Sequence, residues 1–166
     1  MGSRAARPGL KRALGTALCW LLLAASPASA SCSPETVELK GPDDRVTRFR
    51  VELADTDAKR MKGLMHREKM PVGAGMLFLY DAPSRAVFWM KNTLIPLDMI
   101  FADAAGRVLR VRENAIPHDE TPIDGGPGIS AVLEINGGLA RRLGISQGHV
   151  LRHPSLSQDQ AAWPCN

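Results

Sequence analysis

The chain has 166 residues, 45% of them hydrophobic, with 21 Lys and Arg against 17 Asp and Glu. Four of the basic residues and none of the acidic ones fall within residues 1–30, so the rest of the chain carries 17 of each sign. A chain without a net positive field has no global electrostatic reason to bind nucleic acid, and no nucleic-acid partner is expected.

In chain order, residues 1–30 read as a targeting segment. Arg4, Arg7, Lys11 and Arg12 form a basic start, residues 13–25 an apolar run, and Ala28-Ser29-Ala30 a small-x-small cleavage site. This order predicts a Sec-type signal peptide cleaved after Ala30 and a periplasmic or extracellular location. The apolar run is shorter than the roughly 20 residues a spanning helix needs, so no stable membrane span is expected after cleavage. Residues 31–45 are an N-terminal segment, 46–153 one β-rich domain, and 154–166 a C-terminal tail that is polar apart from Trp163. Cys32 and Cys165 stand at the two ends of the mature chain. Export makes them a candidate disulfide. Free thiols, or lipidation of Cys32, are the alternatives.

Residues 46–53 alternate, with Phe49, Val51 and Leu53 on one side and Arg48, Arg50 and Glu52 on the other, which predicts a strand with one wet face. Asp55 and Thr56 offer N-cap oxygens. Ala58, Met61, Leu64 and Met65 follow at helical spacing, predicting a short helix over 57–65 packed by a methionine stripe. Further strands are expected at 76–80 and 86–90. Residues 97–102 and 107–112 flank Asp103-Ala104-Ala105-Gly106 and read as a hairpin. Residues 116–128 hold three prolines and three glycines and form a long loop. A β-rich apolar run at 129–135, a short helix at 138–143 and a last strand at 149–152 complete the list. Seven or eight short strands and two short helices predict a mainly β sandwich or barrel, not a βαβ parallel sheet.

The densest stretch runs from Arg60 to Phe101. Five of the six methionines beyond the leader lie in its first 31 residues, and the sixth is Met99. Its motifs are Arg60-x-x-Gly63-Leu64-Met65-x-Arg67, Gly75-Met76-Leu77-Phe78, Phe88-Trp89-Met90-Lys91-Asn92-Thr93 and Pro96-Leu97-Asp98. Val132-Leu133-Glu134-Ile135 with Gly137-Gly138 follows. Together these resemble the domain of unknown function 192 family over roughly residues 46–152. The resemblance implies a compact, mostly β domain of a family often exported or membrane-attached. It carries over no catalytic residue.

Strand alternation puts Phe88 and Met90 in the core and leaves Trp89, Lys91 and Asn92 as a ligand platform. The plainer reading has Trp89 capping the core with Lys91 lying over it. Arg60 and Arg67 could clamp an anion, or pair with Asp98 or Glu134, carboxylates in otherwise apolar strands. Copper binding by Met61, Met65 and His66 is a partial pattern only, and methionine at helical spacing is more often core. His66, His118, His149 and His153 lack zinc spacing, and no nucleophile elbow or phosphate loop occurs. No metal or cofactor is therefore expected.

Two functions compete. One is a binding or accessory domain for a small polar ligand, envelope fragment or protein partner at Arg60, Arg67, Trp89, Lys91 and Asn92, with loop 116–128 closing over it. The other is an enzyme using Asp98 or Glu134 as general acid/base, with Arg60 and Lys91 stabilising an anion.

Overall fold

A computed structural model describes residues 1–2 and 32–165. The expected signal peptide from residue 3 onward, with its cleavage site, lies outside the described residues. Among them are nine strands and two short helices. In chain order these are β1 (Thr36–Lys40), β2 (Val46–Ala54), α1 (Asp57–Lys62), β3 (Ala74–Ser84), β4 (Val87–Phe88) and β5 (Leu97–Ala102). Then come β6 (Val108–Ala115), β7 (Ile123–Asp124), β8 (Ile129–Asn136), α2 (Leu139–Leu143) and β9 (Val150–Arg152).

Seven strands form one curled sheet in the order β6-β5-β8-β3-β2-β1-β9. Its two edges meet: Arg107 bridges Val150, and the Val108 N–H donates to the His149 carbonyl at 2.8 Å. The expected mainly β single domain is present, and the sheet curls towards a barrel. One pairing is parallel, although the sequence predicts no βαβ sheet. β2 and β3 run parallel, with α1 in the crossover between them.

Curling gives the sheet an inner and an outer face, each with its own core. Val37, Phe49, Leu77, Ile100, Leu133 and Ile135 belong to one cluster, which α2 joins through Leu139 and Ala140. Met76, Phe78, Met90, Met99, Phe101 and Val132 belong to the other. β5 and β8 are buried on both faces, which explains their nearly unbroken apolar sequences. β2, with one wet face, alternates as its sequence predicts.

The helix over 57–65 is shorter than expected. Thr56 caps it by accepting the Lys59 N–H at 3.3 Å, and Gly63 ends it with φ +46°. A Cβ at Gly63 would also sit 3.3 Å from the Phe78 ring. Because helical phase stops there, the methionine stripe does not form. Leu64 is buried, but Met61 is 73% exposed. β4 likewise covers only two of the five residues expected at 86–90, although Met90 is fully buried.

The N-terminal segment and tail are integral parts of the fold. β1 lies between β2 and β9. Glu38 on β1 is buried. Burial pushes its carboxyl up, yet hydrogen bonds and charge from Arg152 and Arg48 outweigh this and leave it below its ordinary value. Leu156 joins the inner core, and Trp163 stacks on Arg152, 3.9 Å from centroid to guanidinium. Cys32 and Cys165 are disulfide-bonded with Cα atoms 5.5 Å apart. Cys32 therefore has no thiol to lipidate.

Asp98 anchors α2. Its carboxylate accepts N–H groups from Asn114 at 2.6 Å, Gly138 at 2.8 Å and Ala140 at 2.7 Å, with the side chain fully buried. Those amides face an otherwise apolar interior and need an acceptor. Asp98→Ala is expected to cost about 3 kcal/mol or more, read by urea unfolding, because buried donors lose their partner. A change below about 1 kcal/mol would mean the amides find other acceptors. The disulfide spans 133 residues of sequence. Cys165→Ser should lower stability by about 2–5 kcal/mol, and reductant should bring the parent to the same value. Equal stability with and without the bond would mean that docking of the tail alone holds the ends.

Candidate functional site

A cleft of about 940 Å³ opens between α1 with the turn after it and residues 87–93, and its floor is the outer face of β3 and β8. It is larger than the 410 Å³ cleft bordered by Arg110, Asp119 and Asp124. Arg60, Trp89, Lys91, Asn92 and Glu134 all line it. Arg67 and Asp98 do not.

The walls follow from local chemistry. Arg60 projects from α1, 18% exposed, donating to the Leu79 carbonyl and to Asp57, each at 2.6 Å. Its guanidinium lies 5.4 Å from the Tyr80 ring centroid. Neither Asp98 nor Glu134 is its partner. Arg67 forms a two-pronged pair with Glu52 of β2, at 2.6 and 3.0 Å. The hydrogen bond from Arg67 holds the Glu52 carboxyl below its ordinary value. With Glu52 mostly exposed, solvent screens this pair, so its worth is modest. Arg67 ties the segment after α1 to the sheet from outside the cleft.

Residues 89–93 form a turn. The Thr93 N–H donates to the Met90 carbonyl at 3.1 Å, and Asn92 takes φ +53°. The Asn92 carbonyl accepts the His66 N–H at 2.8 Å, joining this turn to the segment after α1. Trp89 and Lys91 still meet, now by stacking: the ammonium sits 5.1 Å from the indole centroid. Trp89 is 48% exposed. Phe88 packs edge-on against Phe78 at 5.1 Å and Phe101 at 5.8 Å, fixing the base of this wall.

Loop 116–128 does not close the cleft. It braces the turn instead: the His118 N–H donates to the Met90 carbonyl, and the Met90 N–H to the Asp119 carbonyl. β7, within the loop, pairs with β4.

Glu134 is the most unusual group. It sits on β8 opposite Met76 and Met99, 4% exposed. Among the described residues no hydrogen bond or ion pair reaches its carboxyl, and burial pushes its pKa up to about 8. Asp98 pairs across β5 and β8 with Ile135, not Glu134, so the two carboxyls point to opposite faces of the sheet. Tyr80 is close enough to feel both Glu134 and Arg60, and burial is the main cause of its raised pKa.

The site also includes Lys62 and Tyr80, which the sequence does not single out, and Met61, which it assigns to packing. Met61 is there because the face of α1 that carries it is not buried. Lys62 carries no signal beyond its place beside Arg60. Among the described residues, no group of three or more His, Cys, Asp or Glu could hold a metal ion. Also among them, no helix is long and apolar enough to cross a membrane.

No curated protein matches the chain. A crystal structure of a protein of unknown function from Novosphingobium aromaticivorans is 47% identical, covering 70% of this chain and 82% of that one, with a TM-score of 0.67. A Sinorhizobium meliloti protein described as a "putative transcription regulator" is 40% identical, covering 73% and 94%, with a TM-score of 0.70. The family model described as DUF192, "Uncharacterized ACR", matches residues 38–153. The walls of the cleft and all of the barrel-like sheet from Glu38 onward fall inside that match, and the chain belongs to the domain of unknown function 192 family.

Proposed function

We propose that this chain is an exported binding or accessory domain whose small-molecule ligand seats in the cleft between α1 and the 89–93 turn. The observation that carries this reading is convergence. Five of the seven polar and aromatic residues singled out by sequence line one concave surface, although they come from α1, β8 and a turn. Such a cleft, mostly apolar with a few convergent polar groups, is the usual form of a small-molecule site. Export is supported by the order of charges and apolar residues in the leader and by the Cys32–Cys165 disulfide, which suits an oxidising compartment.

The test is a fragment library of small carboxylates, phosphates and sugars, titrated against isotope-labelled protein. Amide shifts should cluster at residues 60–65 and 87–93, and Trp89→Ala should abolish them while thermal unfolding stays near that of the parent. Shifts centred elsewhere, or unaffected by Trp89→Ala, would rule the cleft out.

A second reading has one observation in its favour. Burial pushes the Glu134 carboxyl up to about 8, towards its neutral form, beside a cleft lined by Arg60 and Lys91. A buried neutral carboxyl next to cations is suited to general-acid work. Asp98 has no part in this reading, since backbone amides occupy its oxygens.

The second reading depends on the protonation state of Glu134, and stability reports it. The carboxyl titrates near 4.5 when free and near 8 in the fold. Between those values the folded chain holds the extra proton, so raising the pH disfavours folding. The stability from this group is fully present below pH 4.5 and is lost as pH rises to about 8. The slope is at most about 1.4 kcal/mol per pH unit. The stability of Glu134→Gln relative to the parent should therefore climb across that window. A pH-independent difference would place the carboxyl in contact with water or with a partner.

A further inference from the structure

The two walls of the cleft differ from its floor in a way that specifies the ligand further, provided that the cleft is the binding site proposed above. The floor and lower walls are apolar, built from Leu64, Phe78 and Phe88, with Trp89 continuing upward to the rim. Met61 and Val87 are 73% and 54% exposed and extend that apolar surface to the mouth. Large apolar side chains left in water around one opening mark a surface that is covered in use. Lys62 stands on the α1 wall and Lys91 on the opposite one. Among the described residues neither makes a direct salt bridge, although Lys62 adds to the charge that lowers the Glu52 carboxyl, whereas Arg60 is held by Asp57 and the Leu79 carbonyl. The unpaired charge at the rim is therefore positive.

We propose that the cleft takes a single-chain amphipathic anion, with its apolar body along Leu64, Phe78, Phe88 and Trp89 and its anionic head between Lys62 and Lys91. A small polar anion would fill a minor part of about 940 Å³ and would leave the apolar walls wet. A cationic amphiphile would bring its head against two unpaired ammonium groups. A neutral Glu134 carboxyl on the floor is compatible with an apolar body, since no buried negative charge opposes its approach, and its O–H can donate to an acceptor atom in the ligand.

The test is calorimetric titration of the full chain with dodecanoate, dodecyltrimethylammonium and acetate, each below its micelle threshold, and with phosphatidylglycerol vesicles. Dodecanoate should bind with one site per chain, acetate only at far higher concentration, and dodecyltrimethylammonium not at all. Lys62→Ala with Lys91→Ala should weaken dodecanoate roughly tenfold, while Lys69→Ala, outside the cleft, leaves it unchanged. Equal binding of dodecyltrimethylammonium, binding of acetate alone, vesicle binding without dodecanoate binding, or no dodecanoate binding would each overturn the proposed ligand class. The cleft itself would still stand if Trp89→Ala abolished the fragment shifts. Dodecanoate binding that Trp89→Ala leaves intact would instead remove the cleft as the site.

Discussion

Burial of β8 on both faces is the constraint on which the rest of the structure depends. The strand pairs with β3 on one side and β5 on the other, so it has no edge and no wet face. Leu133 and Ile135 fill the inner core while Val132 packs into the outer one, so a single strand holds the two cores together. The pairing with β3 is tight enough to require glycine. A Cβ at Gly75 would lie 2.5 Å from the Glu134 carbonyl oxygen. An ionisable group on β8 needs a partner or is driven towards neutrality, and burial pushes Glu134 that way.

Three buried carboxyls illustrate the available solutions. Glu38 keeps its charge because two arginines reach it from neighbouring strands. Asp98 accepts three backbone amides and so organises α2 and the end of β6. Glu134 has neither and gives up its charge. Two of these solutions build the fold. The third leaves a group with chemistry to spare at the floor of a cleft.

The fold is largely legible in the sequence, because strand burial leaves a direct mark. One wet face on β2 gives alternation, and two dry faces on β8 give an apolar run. The parallel β2–β3 pairing is not legible, since a crossover as short as α1 gives no long helical pattern. The methionine stripe misleads because Gly63 stops the helical phase that periodicity assumes. Trp89 and Lys91 do meet, although through a turn and a stacking contact in place of a strand face. Arg67 and Asp98 are harder cases. A polar residue in an apolar block can serve a ligand or satisfy a neighbouring group, and only the three-dimensional position of Glu52 and of the α2 amides distinguishes the two.

The bond between Cys32 and Cys165 has a topological consequence. With it closed, the backbone between those residues is a ring without a free end. One cut in an exposed loop, such as the stretch holding Pro127 and Gly128, opens the ring without releasing a fragment, because both new pieces stay covalently joined. Wherever proteases nick loops, such a protein loses connectivity only at the second cut.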